Sequence, residues 1–60
     1  MFDNFYNDMV NLTSENQNPD GSINWNFVDS DLFEKYQVIL DGETYSKYFD
    51  KAADIVESDI

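Results

Sequence analysis

The chain has 60 residues, three lysines, no arginine and thirteen Asp or Glu, for a formal charge of −10, and it contains neither cysteine nor histidine. Those absences exclude a disulfide framework, a zinc finger, a thiol nucleophile and the imidazole that most often serves as general base or metal ligand. So little positive charge cannot hold a phosphate backbone, which excludes direct nucleic-acid binding, and no apolar run approaches the length of a bilayer span.

From Phe2 to Glu15 the sequence carries a helical period. At about 3.6 residues per turn, Phe2, Phe5, Tyr6, Met9, Val10, Leu12 and Thr13 share one face, and Asn4, Asn7, Asp8, Asn11, Ser14 and Glu15 lie opposite. Asp3 falls in the first turn, where negative charge suits the helix dipole. The run Asn16-Gln17-Asn18-Pro19-Asp20-Gly21 ends this helix, because the residue before proline avoids the α region and glycine accepts positive φ. Ile23, Trp25 and Phe27 then alternate with asparagines at period two, the pattern of an extended segment. With no second strand to join, it reads as an extended arm laid over helices.

Asp29-Ser30-Asp31 reads as the next helix start, with Asp31 and Glu34 at capping-box spacing. Leu32, Phe33, Tyr36, Ile39 and Leu40 share a face, only Val38 falls off it, and Gly42 stands where a C-terminal cap is expected. The competing reading is a hairpin turning at Asp41-Gly42. From about Thr44 to Asp59 the pattern is cleanest: Tyr45, Tyr48, Phe49, Ala52, Ala53, Ile55, Val56 and Ile60 cover one broad face. Glu43, Asp50, Asp54 and Glu57 line the opposite one, with Lys47 inside that stripe and Lys51 at its edge. The architecture expected is all-α: a three-helix mini-bundle with an extended arm between the first two helices, forming a single domain over residues 1–60. The alternative is α+β with the hairpin. Strong charge favours disorder, but one Trp, four Tyr and five Phe supply the apolar surface a mini-domain needs to fold.

Four constellations bear on function. The loop from Asn16 to Phe27 matches the calcium pattern D-x-[DN]-x-[DN]-G-x5-E at its third, fifth and sixth positions. It has Asn16 where the first Asp belongs and Phe27 where the bidentate Glu belongs, so a Pro-Asp-Gly turn is the stronger reading, and no metal or cofactor is expected. The pairs Asp29/Asp31 and Asp50/Asp54 invite an acid–base reading, yet so short a chain has little room for a pocket, and no Arg or His stands by to position a substrate. They read as solvated helix faces, and catalysis is not expected. The acids as a whole match at most about 22 Å of duplex charge, the length of a helix of about fifteen residues. That scale suits either a nucleic-acid mimic in a basic groove or plain solubilisation of an aromatic-rich domain. Trp25 and Phe27, beside Asp29-Ser30-Asp31, look like an interface anchor ringed by charge, or else like core capping the open end of the bundle. A homodimer would also hide them.

The stretch Asn18-Pro19-Asp20-Gly21-Ser22-Ile23-Asn24-Trp25-Asn26-Phe27-Val28-Asp29-Ser30-Asp31, together with the chain's size, its Asn/Asp richness and its lack of Cys and His, resembles the small acidic proteins encoded by marine cyanophages. The resemblance implies an early phage product that binds and redirects a host protein such as a polymerase, nuclease, restriction or repair enzyme. It carries over no functional residue. The function expected is therefore that of a small acidic, cytoplasmic binding protein that inhibits or modulates a host protein through a basic surface. The residues expected at the contact are the stripe Glu43, Asp50, Asp54 and Glu57, a second patch of Asp29, Asp31 and Glu34, and Trp25 as hydrophobic anchor. The alternative is an assembly subunit that joins a larger complex through its aromatic face.

Overall fold

The computed structural model describes residues 1–58. Its regular structure is three helices, α1 (Phe2–Glu15), α2 (Trp25–Tyr36) and α3 (Gly42–Ser58), with no strand or sheet among the described residues. The chain is thus an all-α mini-bundle, and the hairpin alternative is excluded. Asp59 and Ile60, assigned from sequence to the end of the third helix, lie outside the described residues.

The first helix follows its periodicity. Phe5, Met9 and Thr13 are buried, flanked by the partly buried Phe2, Tyr6, Val10 and Leu12. Pro19-Asp20-Gly21 then reverses the chain. Gly21 adopts φ +93°, and Asp20 Oδ1 accepts from Ser22 N at 2.9 Å and Ser22 Oγ at 2.6 Å. An isolated antiparallel bridge between Gln17 and Ile23, with Asn24 N donating to Asn16 O at 2.9 Å, closes the loop beside the end of α1.

The extended arm is shorter than the alternation predicts. It stops at Asn24, so Trp25 and Phe27 are helical, and Asp31 and Glu34 lie inside α2 rather than forming its cap. The reason is a competing stripe. Trp25, Val28, Leu32 and Tyr36 recur at helical spacing, and Val28 and Leu32 are fully buried. Five alternating residues have no sheet to join, so burial on a helix wins.

The second helix also stops at Tyr36, short of the Leu40 its apolar face suggests. Tyr36 O accepts from Ile39 N at 3.0 Å and Leu40 N at 2.8 Å, a tight turn that leaves Val38 and Ile39 exposed. Gly42 is not a C-terminal cap but the first residue of α3, which begins ahead of the expected Thr44. Asp41 caps it: its Oδ1 accepts from Thr44 N at 2.7 Å and its carbonyl from Tyr45 N at 2.9 Å. A capped start, next to the β-branched pair Val38-Ile39, outweighs continuation of the second helix.

The middle position belongs to α1, which packs on both other helices, while α2 and α3 meet more sparsely. Phe5 is the hub, its ring centroid 5.0 Å from Tyr36, 5.6 Å from Tyr45 and 5.8 Å from Tyr48. Between α2 and α3 the contact is aromatic, Trp25 on Phe49 at 5.9 Å and Phe33 on Tyr45 at 5.4 Å, both edge-on. Edge-to-face pairs at these distances add to area burial. The two buried tyrosines satisfy their hydroxyls on carboxylates, Tyr36 on Asp8 and Tyr45 on Asp29.

Candidate protein-binding surface

Every Asp and Glu among the described residues is exposed except Asp8, which is partly buried. The lysines are exposed too, but each has a partner within the chain. Lys35 Nζ lies 2.9 Å from Asp8 Oδ2, Lys47 Nζ lies 3.4 Å from Glu43, and Lys51 Nζ sits 4.5 Å from the centroid of the Phe2 ring. Among the described residues no ammonium pairs with Asp50, Asp54 or Glu57.

The helical register of α3 places Glu43, Asp50, Asp54 and Glu57 along one exposed stripe, as the sequence suggests. The second predicted patch does not stay together. Asp31 and Glu34 turn toward α1, where with Asp8, Glu15, Asn11, Leu12 and Lys35 they line a groove of about 580 Å³. Asp29 points the other way. With Asp50, Tyr45, Ser46 and Phe49 it lines a slot of about 270 Å³ between α2 and α3. One of the three acids thus joins the stripe of α3, and two join acids of α1 that the sequence reading left on a merely polar face. Their signal is visible in hindsight, since Asp8, Asn11 and Glu15 recur at i, i+3 and i+7.

Trp25 does not project as an anchor. It is partly buried against Phe49, capping the α2–α3 seam. Phe27, its neighbour in the alternation, is exposed at 59%, as is Phe33 at 48%. The calcium-like loop uses its own polar groups. Asn16 Nδ2 donates to Leu12 O at 2.8 Å, Asn18 Nδ2 to Ser22 Oγ at 3.0 Å, and the Ser22 bonds hold the Asp20 carboxyl below its ordinary range. Among the described residues no three Asp or Glu gather closely enough to hold a metal ion.

Two tyrosines titrate abnormally. Burial, reinforced by the bond to Asp8, pushes the Tyr36 hydroxyl up to about 12. Burial and then the bond to Asp29 raise Tyr45 further. The Tyr36 bond, with Lys35 behind it, holds the Asp8 carboxyl below its ordinary range. These groups brace the bundle. Among the described residues no helix is long and apolar enough to cross a membrane. Set against protein-family models, curated proteins and solved structures, the chain matches none.

Proposed function

We propose that this chain is an acidic binding protein that engages a basic surface on a host protein and inhibits or modulates it. The phage origin belongs to this reading through the cyanophage resemblance. The observation that supports it is the separation of charge from fold: only Asp8 and Asp29 bond to buried side chains of the core, while every described acid but Asp8 faces solvent and each lysine has a partner within the chain. Acids not required for packing remain available to a cationic partner and would steer its approach. From Glu43 to Glu57 the α3 stripe spans about 21 Å of helix axis. Four acids over that length are sparser than duplex phosphates, which come about every 1.7 Å. Charge complementarity is therefore the primary reading, and mimicry of nucleic acid the stronger form of it. The chain is assigned binding, not turnover.

The test is a tagged pull-down from nuclease-treated bacterial lysate, washed at low and at high salt, alongside the double variant Asp50→Lys, Asp54→Lys. A partner released by salt, displaced by added DNA and lost by the double variant supports nucleic-acid mimicry. Release by salt without displacement by DNA supports a basic surface of another kind. Equal capture by the double variant removes the stripe from the mechanism. A second reading rests on the exposed Phe27: assembly into a larger complex through an aromatic face, in which Phe27→Ala abolishes capture and salt has little effect.

A further inference from the structure

The slot between α2 and α3 differs in chemistry from the rest of the acidic surface. Its lining brings Asp29 of one helix and Asp50 of the other beside the rings of Tyr45 and Phe49, with Ser46 between and no lysine among them. The Asp29 carboxylate is already oriented, because Tyr45 Oη donates to its Oδ1 at 2.7 Å, which leaves Oδ2 for another donor. The rings are braced too. Tyr45 and Phe49 lie 6.0 Å apart, Trp25 packs edge-on to Phe49 and Phe33 edge-on to Tyr45. The larger groove between α1 and α2 has acids but contains Lys35 and no aromatic ring.

We infer that this slot seats one arginine side chain of a basic partner. The inference rests on the reading of the chain as a binder of basic surfaces and adds the side chain it selects. A guanidinium is planar, weakly hydrated and forked, so it tolerates aromatic surroundings and donates in pairs to carboxylates. The ammonium of lysine is compact and strongly hydrated, and lacks the planar fork that can meet carboxylates from two helices at once. A second copy of this chain is a poor occupant, since two bodies of charge −10 repel. The Asp29 carboxylate, held by the Tyr45 hydroxyl, also limits the ordering that binding requires.

The experiment titrates the full chain with N-acetyl-arginine amide, N-acetyl-lysine amide and the neutral N-acetyl-citrulline amide. It follows backbone amide NMR shifts and the fluorescence of Trp25, the single tryptophan, which touches the slot through Phe49. The expected result is saturable shifts at Tyr45, Ser46, Phe49 and Asp50 with the arginine amide, several-fold weaker with lysine and absent with citrulline. Asp50→Asn, an exposed change, weakens the arginine amide by roughly tenfold. Asp3→Asn, which removes the same charge away from the slot, leaves it unchanged. Equal, non-saturating shifts at all exposed acids, or equal losses in the two variants, would overturn the slot in favour of a diffuse counterion cloud. A salt-released partner in the pull-down alongside no discrete arginine site would leave the basic-surface reading standing and sink this one. The opposite pair of results would keep the slot and sink that reading.

Discussion

At the scale of single residues, the bond between Tyr36 and Asp8 joins the two ends of the pH range. In the folded chain the Tyr36 hydroxyl is raised from 10.0 to about 12, so its contribution is complete below about pH 10 and is lost as pH climbs through 12. The Asp8 carboxyl is lowered from 3.8, so its contribution is complete above that value and is lost as pH falls below it. Burial is the larger cause at Tyr36 and Lys35 contributes at Asp8; the part each shift owes to their shared bond is one interaction seen from its two ends and does not add. Tyr36→Phe should destabilise the chain by about 1 kcal/mol at neutral pH. It should also flatten stability at both extremes, as read by thermal melts across pH with tyrosinate absorbance followed in the alkaline arm. Unchanged acid and alkaline limbs would remove the bond from the stability of the fold. Nothing in the sequence pointed to this pair. Asp8 sits among asparagines on a polar face, and its partner lies 28 residues away.

At the scale of elements, the long helices were legible and the junctions were not. In α1 and α3 the apolar residues form one stripe over several turns, so a one-residue error in phase would expose the whole core face. In α2 the apolar residues surround the axis. Val28 and Leu32 are buried while Phe27 and Phe33 are exposed, so no clean stripe marked its start, and the short alternation around Trp25 competed with it. Its end was obscured likewise, because Val38 and Ile39 are apolar yet exposed, and Asp41-Gly42 suits a cap, a hairpin or a helix start. The glycines separate these roles experimentally. A Cβ at Gly42 meets nothing within 4 Å, and its backbone is already helical, so Gly42→Ala should stabilise by about 0.5 kcal/mol through the unfolded chain. Gly21 has equal room but φ +93°, so Gly21→Ala should destabilise by about 1 kcal/mol. Denaturant melts of the two variants should move in opposite directions. Movement in the same direction would refute the assignment of Gly42 to the first turn of α3.

At the scale of the molecule, charge and fold are set against each other. A chain of charge −10 in a body of 34 × 20 × 16 Å repels itself, and the two ion pairs among the described residues, with both lysines exposed, contribute little. Salt should therefore stabilise it: screening over about 8 Å at physiological ionic strength weakens the repulsion more than it weakens those pairs. The melting temperature should rise as sodium chloride is added from a salt-free start. A fall would mean that the ion pairs carry more of the fold than their exposure implies. The stripe on α3 was legible because its four acids lie on one helix, where spacing alone sets the face. The division of Asp29 from Asp31 and Glu34 was not, because it depends on which neighbour each side of α2 meets. The central position of α1 has a consequence for how the bundle comes apart. With α2 and α3 each packing more on α1 than on one another, loss of an outer helix removes one side of the core, whereas loss of α1 removes both. Native-state hydrogen exchange should accordingly rank the helices, the amides around Phe5 and Met9 opening last, with global unfolding, and those of the outer helices opening earlier through partial excursions.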